Sequence, residues 1–287
     1  MPSVSDLEPS KNIVALAVGN AGGGKTSALA SFANKDNPMY VFDIDHRIKG
    51  ILGSKEWLGD SVNHIDFDQF DTRDGFEKVE RKFMELYDQH EKRKLKYRTI
   101  LVESLGSLSE MFLIDSQTKK GLAPNKDFTK LTKDELKGAK ITGQIAFPTP
   151  DDYHYGKRAL HILFYHYFMA FTKCNVFLSA WTTDKWGKDP NSDNPYAENI
   201  QLPGKVILAT NKVANELPGY FDEIYEFTKE ESGGKLNPVQ FKVKFVSSLA
   251  KTCIPELSKA GQIDITKKNF KQEFDRIAKL EKVEIAV

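Results

Sequence analysis

Cysteine is nearly absent: Cys174 and Cys253 are the only two in 287 residues. They stand far apart, and neither falls in a metal-ligand spacing, which excludes a disulfide framework and a cysteine-built zinc site. Both read as reduced, core-filling thiols. Excess charge is lacking too. The chain has 41 Lys and Arg against 40 Asp and Glu, a net charge of +1, so any nucleic-acid contact has to come from a local patch and not from a uniformly basic surface. No apolar run approaches the roughly 18 residues of a membrane span, and no signal peptide precedes the first strand. The expectation is a cytoplasmic protein with no membrane partner. Repeats and low-complexity tracts are missing. What is present, at 40% hydrophobic residues, suffices for one large α/β domain or two small ones.

The stretch that organises the rest is Gly19-Asn-Ala-Gly-Gly-Gly-Lys-Thr26, after the apolar run 13–18 and before the helical pattern 27–33. Glycines let successive backbone N–H groups turn toward one anion with no Cβ in the way, and a helix start adds partial positive charge. This spelling, between a buried strand and a helix, is that of a triphosphate-binding loop. Gly19, Asn20, Ala21, Gly22, Gly23, Gly24, Lys25, Thr26 and Ser27 form the candidate nucleotide-binding set. Lys25 is expected to reach the β- and γ-phosphates and Thr26 to ligate magnesium.

Acids are expected to face this loop from two further strands. Met39 to Ile44 reads as a buried strand ending in Asp43 and Asp45, and parallel sheets carry functional side chains at the C-terminal ends of their strands. Tyr97-Arg-Thr-Ile-Leu-Val-Glu-Ser104 is an apolar strand ending in an acid and a small polar residue, as P-loop ATPases present their magnesium-facing carboxylate. Glu103 stands there where aspartate is commoner; a strand capped by a solvated glutamate fits the same letters. Asn175 to Thr182 is a core strand that ends at Trp181 and Thr182 beside the expected γ-phosphate, where a polar side chain such as Thr182 can sense it.

Elsewhere, 62–67 reads as a weaker strand, 73–94 as an amphipathic helix, 105–119 as a helix and the aromatic segment 153–172 as a helix buried on several sides. The histidines in that segment, 154, 161 and 166, are not spaced as a metal pair. Strands are expected at 206–209, 223–227 and 241–246, and a closing amphipathic helix carries Phe270, Phe274, Ile277 and Leu280. Residues 1–11 form an expected loose arm. The stretch 120–150 loses periodicity; Lys119, Lys120, Lys126, Lys130, Lys133, Lys137 and Lys140 with Phe128 and Phe147 suit a nucleic-acid strand, or a merely solvated loop. A second excursion, 184–203, carries Lys185, Trp186, Lys188 and Tyr196 and reads the same two ways.

The loop at 19–26, the Val-Phe-Asp-Ile-Asp-His strand end at 41–46 and Thr99-Ile-Leu-Val-Glu-Ser-Leu105 resemble the RecA-like ATPase core. The later pieces Leu202-Pro-Gly-Lys205, Leu217-Pro-Gly-Tyr-Phe-Asp-Glu223 and Ser248-Leu-Ala-Lys251 are similar to compact bacteriophage nucleotide-binding ATPases linked to single-strand annealing and recombination. The likeness spans roughly 12–255. It implies an α/β P-loop NTPase with a mostly parallel central sheet, helices on both faces, a core at 12–246 with insertions near 120–150 and 184–203, and a small C-terminal strand and helix extension at 247–287. It implies a DNA-stimulated ATPase using ATP and Mg2+, with Asp45 in the position of the family's general-base glutamate, one methylene shorter, and Thr26 and Glu103 holding the metal. It further implies single-stranded DNA, a homo-oligomer and a single-strand-binding protein as partners, in a host cytoplasm for a phage protein. The family's Lys-x-Arg reads Lys251-Thr-Cys here, leaving Lys251 as the candidate finger into a neighbour's site.

Three rivals keep a place. Thr210-Asn-Lys-Val-Ala214 imitates a guanine-reading motif, but Ala214 replaces the aspartate that makes its two hydrogen bonds. A kinase would need lid arginines, and 120–150 has none. A module that binds nucleotide only to set its oligomeric state fits the same loop without hydrolysis.

Overall fold

The central strands are apolar along nearly their whole length, which demands cover on both faces of a sheet. The computed structural model, which describes residues 12–72, 76–119, 150–188, 199–207, 217–230 and 239–278, meets that demand with an α/β architecture. Its mixed, mostly parallel sheet contains nine strands among the described residues: β1 Val14–Gly19, β2 Met39–Asp43, β3 Ile65–Gln69, β4 Thr99–Glu103, β5 Asn175–Lys188, β6 Asn199–Ile207, β7 Glu223–Glu230, β8 Gln240–Lys244 and β9 Gln262–Asp264. The spatial order is β3-β2-β4-β5-β1-β7-β8-β9, with β6 paired to β5. Strands β3, β2, β4, β5, β1 and β7 run parallel; β6, β8 and β9 join antiparallel.

One face buries Leu16, Val18, Phe42, Val102 and Leu178 under α3 Glu77–Glu91, α4 Leu105–Lys119, α5 Pro150–Ile162 and the π-helical turn Leu163–Phe168. Phe42 stacks on Phe83 at 4.0 Å between ring centroids, a contact worth about 1 kcal/mol beyond its buried area. The other face buries Ala15, Ala17, Val41, Leu101 and Phe177 under α1 Lys25–Ala30, α6 Pro255–Ala260 and α7 Phe270–Ala278. Phe32, just past α1, meets Phe177 at 4.8 Å and both Phe270 and Phe274 at 5.8 Å. The segment 255–278 shares this core: β9 extends the sheet, and α7 packs directly on α1.

The aromatic segment is not one continuous α-helix, since α5 passes into a π-helical turn at Leu163. The excursion at 184–203 is not a plain loop. Residues 182–188 and 199–207 form an antiparallel ladder, β5 with β6, with a register shift between Asp184 and Lys185. Residues 1–11, 120–149, 189–198 and 210–214, which hold the expected arm, the lysine-rich stretch, the tip of the second excursion and the guanine-like motif, lie outside the described residues. No helix among the described residues is long and apolar enough to cross a membrane.

Candidate functional site

The glycine loop leaves the sheet at its centre, where β1 lies between β5 and β7 and Gly19 aligns with Trp181 on one side and Phe227 on the other. That squeeze dictates a residue without a side chain. A Cβ on Gly19 would stand 2.2 Å from the Phe227 carbonyl oxygen, at a φ of +154°. Gly22 and Gly24 take φ of +74° and +83°, left-handed values that favour glycine. Gly24 then precedes α1, whose first turn closes with Ala28 N–H donating to Gly24 O at 2.9 Å. The expected helix 27–33 is realised as α1 from Lys25 to Ala30, followed by tighter turns to Ala33.

Lys25, 5% exposed, folds back so that its ammonium donates to Gly19 O at 2.9 Å and Asn20 O at 3.1 Å. Burial draws its pKa down to about 8; Glu103 and Asp45 oppose the shift and Arg47 adds to it. Glu103 closes β4 at 2% exposure. Burial pushes its carboxyl up to about 7, Asp45 adds to the rise, and Lys25 with the nearby Ser179 and Thr26 hydroxyls counters it. The end of β2 is tied to this point, with Ile44 N–H and Asp45 N–H donating to Glu103 O at 2.7 and 3.2 Å. Ser107, in the first turn of α4, donates to Asp45 Oδ1. Asp45 Oδ2, Glu103 Oε2 and Ser179 Oγ are buried without a hydrogen-bond partner.

Lys25, Thr26, Ser27 and Glu103 line one cavity of about 300 Å3 with Ala21 and the glycines at 22–24. Asp45 borders it closely enough to shift both Lys25 and Glu103. Thr182 is reached through the loop: its hydroxyl donates to Asn20 Oδ1 at 2.9 Å. Asp43 does not face the crevice. It is fully buried and structural, accepting from the backbone N–H of Arg47 and Ile48 and from Gln69 Nε2. Lys251 is not part of this cavity either; its backbone bridges Ile224, three residues before Phe227 along β7, about 10 Å from the loop end at the rise of a strand.

Three contributors, Arg47, Ser179 and Ser107, escape a linear reading, whereas Trp181 stands at the expected strand end. Arg47 lines the cavity with its guanidinium 4.5 Å from the Trp181 ring centroid, a cation–π contact that holds the charge at the wall. Trp181 and Ser179 arrive from β5, and Ser107 from α4. For Arg47 the only local signal was a basic residue two positions past Asp45. Among the described residues no group of three or more His, Cys, Asp or Glu could hold a metal ion, and the His161 ring meets the Tyr220 hydroxyl.

No protein-family model matches this chain, and no curated protein matches it in sequence. A glycine-rich loop at a helix start, one buried ammonium, one guanidinium and two carboxylates with unpaired oxygens is an arrangement for a polyanion and a hard cation together.

Proposed function

We propose that the chain is a RecA-like P-loop ATPase that binds ATP with Mg2+ at residues 19–27 and hydrolyses it. The observation that carries this is the set of three unpartnered oxygens, Asp45 Oδ2, Glu103 Oε2 and Ser179 Oγ, gathered beside Lys25. Buried polar atoms without partners cost about 1–3 kcal/mol each, and a ligand that supplies the partners removes that cost.

Thr26 and Glu103 would hold the magnesium, and the donor set fits: a hydroxyl and a carboxylate, both oxygen, with room left for phosphates and waters. Bound magnesium supplies positive charge to the β- and γ-phosphate oxygens. The loop amides bind the phosphates. Lys25 exchanges its two carbonyl acceptors for phosphate oxygens, and the counter-charge makes it a full cation. Arg47, braced on Trp181, adds a second positive charge from within the same chain. Asp45, with one oxygen fixed by Ser107, uses the other to orient the attacking water and take its proton. Thr182 transmits the state of the γ-phosphate through Asn20 to the β5–β6 ladder.

The polynucleotide half of the reading, a homo-oligomer acting on single-stranded DNA with a single-strand-binding protein alongside and Lys251 reaching into a neighbour, is supported by the resemblance and by the lysines between 119 and 140. Both halves are tested by phosphate release with and without single-stranded DNA at low salt. Turnover that rises with DNA and disappears in Lys25→Ala is expected. Equal rates with no strand binding would remove the DNA half, and no turnover in wild type would leave a nucleotide-binding module only.

A further inference from the structure

The phosphate cavity is bordered by the turn before the short helix α2 Lys55–Leu58, where Ser54 Oγ donates to Ser27 Oγ at 2.9 Å. A larger cleft, of about 480 Å3, lies at the opposite end of the sheet. It is framed by the starts of β1, β4 and β5, by the turn that follows α1, and by α7. Its volume is that of a small-molecule site, and nothing in the nucleotide reading uses it.

The floor of this cleft is bonded, and the charges above it are not. Asn175 accepts the Ile13 N–H on its side-chain oxygen at 3.0 Å, and its own backbone N–H donates to Arg98 O at 2.8 Å. In the turn after α1, Asn34 Oδ1 accepts from Asp36 N–H and Asn37 N–H, both at 2.9 Å. Lys271 N–H donates to Ser31 Oγ at 2.9 Å, while its ammonium pairs with Asp275 Oδ2 and lies 5.5 Å from the Phe32 ring centroid. These bonds hold the frame in place. Arg98, Lys173 and Asp36, by contrast, are exposed, and their charged ends have no hydrogen-bond or ion-pair partner among the described residues. The two cations stand near one another. Arg98 O is bonded to a residue two places from Lys173, and both charges act on the His90 ring, whose pKa is lowered first by burial and then, against Glu91, by Lys173 and Arg98. Like charges held together repel, and a bound anion reverses that cost.

We infer that this cleft binds a small acidic amino acid, a dicarboxylate that carries one ammonium group. Three features select that class. Arg98, Lys173 and Lys271 against Asp36 and Asp275 leave the cleft one positive charge in excess, which a ligand with one net negative charge balances. The two unpaired cations offer a guanidinium fork to one carboxylate and an ammonium to the other. On the remaining side Asp36 has no cation of its own and Asp275 Oδ1 has no partner, so the ligand's ammonium is drawn there, to donate to Asp36. A plain dicarboxylate or a polyphosphate would meet two carboxylates on that side with nothing to offer them.

Calorimetric titration of the full chain with L-glutamate and L-aspartate, at constant ionic strength, tests the site. Glutarate and succinate, which lack the ammonium, and 4-aminobutyrate, which lacks one carboxylate, are the comparison ligands. At least one of the two amino acids should bind about tenfold more tightly than its comparison ligands, the factor that one charge-assisted hydrogen bond supplies. Arg98→Gln should weaken that binding by about tenfold, and Asp36→Asn should bring the amino acid down to the level of its ammonium-free analogue. Both replace exposed side chains without partners, so both variants should melt as wild type does and bind magnesium tripolyphosphate within about twofold of wild type. Glutarate or succinate binding as tightly as the amino acid overturns the amino-acid assignment and leaves a simple anion site. Full affinity in Arg98→Gln overturns the location. No saturable binding of either amino acid overturns the proposal, whatever the phosphate loop binds.

Discussion

The two ends of the parallel strands treat buried polar groups in opposite ways. At the N-terminal end they pair with one another: Ile13 N–H donates to Asn175 Oδ1 at 3.0 Å, Asn175 Nδ2 to Thr99 Oγ1 at 3.3 Å, Thr99 Oγ1 to Asn37 Oδ1 at 3.3 Å, and Asn37 Nδ2 to Phe32 O at 2.7 Å. Two carboxylates are exceptions there: Glu223, at the start of β7, accepts from Cys253 N–H with one oxygen and leaves the other unpaired, and Asp275, on α7, does the same with Lys271 as its partner. At the C-terminal end Asp45 and Glu103, at or beside strand ends, and Ser179, level with Glu103 inside β5, each leave an oxygen without a partner. The same sheet thus has a mostly closed end, where a chain of side-chain hydrogen bonds ties strand to strand, and an open one, where three unpaired oxygens gather in one place. Closed polarity ties strands together; open polarity costs stability and is tolerated where a ligand completes it.

The sharpest way to separate the ends is to substitute one polar group at each. Asp45→Asn keeps the shape and removes the proton acceptor, so ATP turnover should fall by about 10²–10⁴-fold with nucleotide affinity little changed. Single-turnover phosphate release with a parallel titration measures both. An unchanged rate would show that Asp45 orients no water, and the open end would then be a binding site alone. Gly19→Ala probes the strand that joins the ends. A methyl group 2.2 Å from the Phe227 carbonyl forces β1 and β7 apart, and overpacking of this kind costs about 3 kcal/mol. Chemical denaturation should show that loss, with nucleotide affinity lowered as well because the loop moves with the strand.

Asn175→Ala should behave differently. It leaves Ile13 N–H and Thr99 Oγ1 with one partner fewer, at a cost of about 2 kcal/mol in urea denaturation, and nucleotide affinity should stay within about twofold. A larger loss of affinity than of stability would mean that the ends are coupled, and that the closed network positions the loop.

Legibility follows the same division. The loop at 19–26 and the acid at Glu103 could be read because their chemistry depends on local spacing: a strand, a turn, a helix, or a strand and its last side chain. Arg47, Ser179 and Ser107 could not, because they meet only once the order β2-β4-β5-β1 is set, and chain order does not reveal which strands become neighbours. Asp43 and Asp45 looked equivalent, two carboxylates leaving one strand. The turn after β2 distinguishes them by offering its N–H groups to Asp43 alone. The β5–β6 ladder was hidden by Pro203, Gly204 and the asparagines around 191–199, which read as loop residues, and β9 is too short, at three residues, for any period to show. The α/β class and the mostly parallel sheet were within reach because buried parallel strands are apolar along their whole length.

The smallest effect is also the most specific to the open end. Burial lifts the Glu103 carboxyl from 4.5 to about 7, so the folded chain holds that proton more tightly than the unfolded chain does. Stability contributed by the protonated form is fully present below about pH 4.5 and declines as pH rises through 7, because the fold must then bury a carboxylate. Glu103→Gln keeps a neutral group at every pH. Without nucleotide it should therefore be more stable than wild type at pH 8, by about 1 kcal/mol once the loss of Lys25's counter-charge is set against the gain. Near pH 5 the two should melt together. Calorimetric melting at both values reads the difference, and a gap that does not widen with pH would mean that Glu103 ionises freely in the fold. Saturating ATP and magnesium should reverse the order at pH 8, since wild type alone has the carboxylate that the bound cation needs. A group that weakens the empty fold and strengthens the filled one is the energetic signature of a site kept open for its ligand.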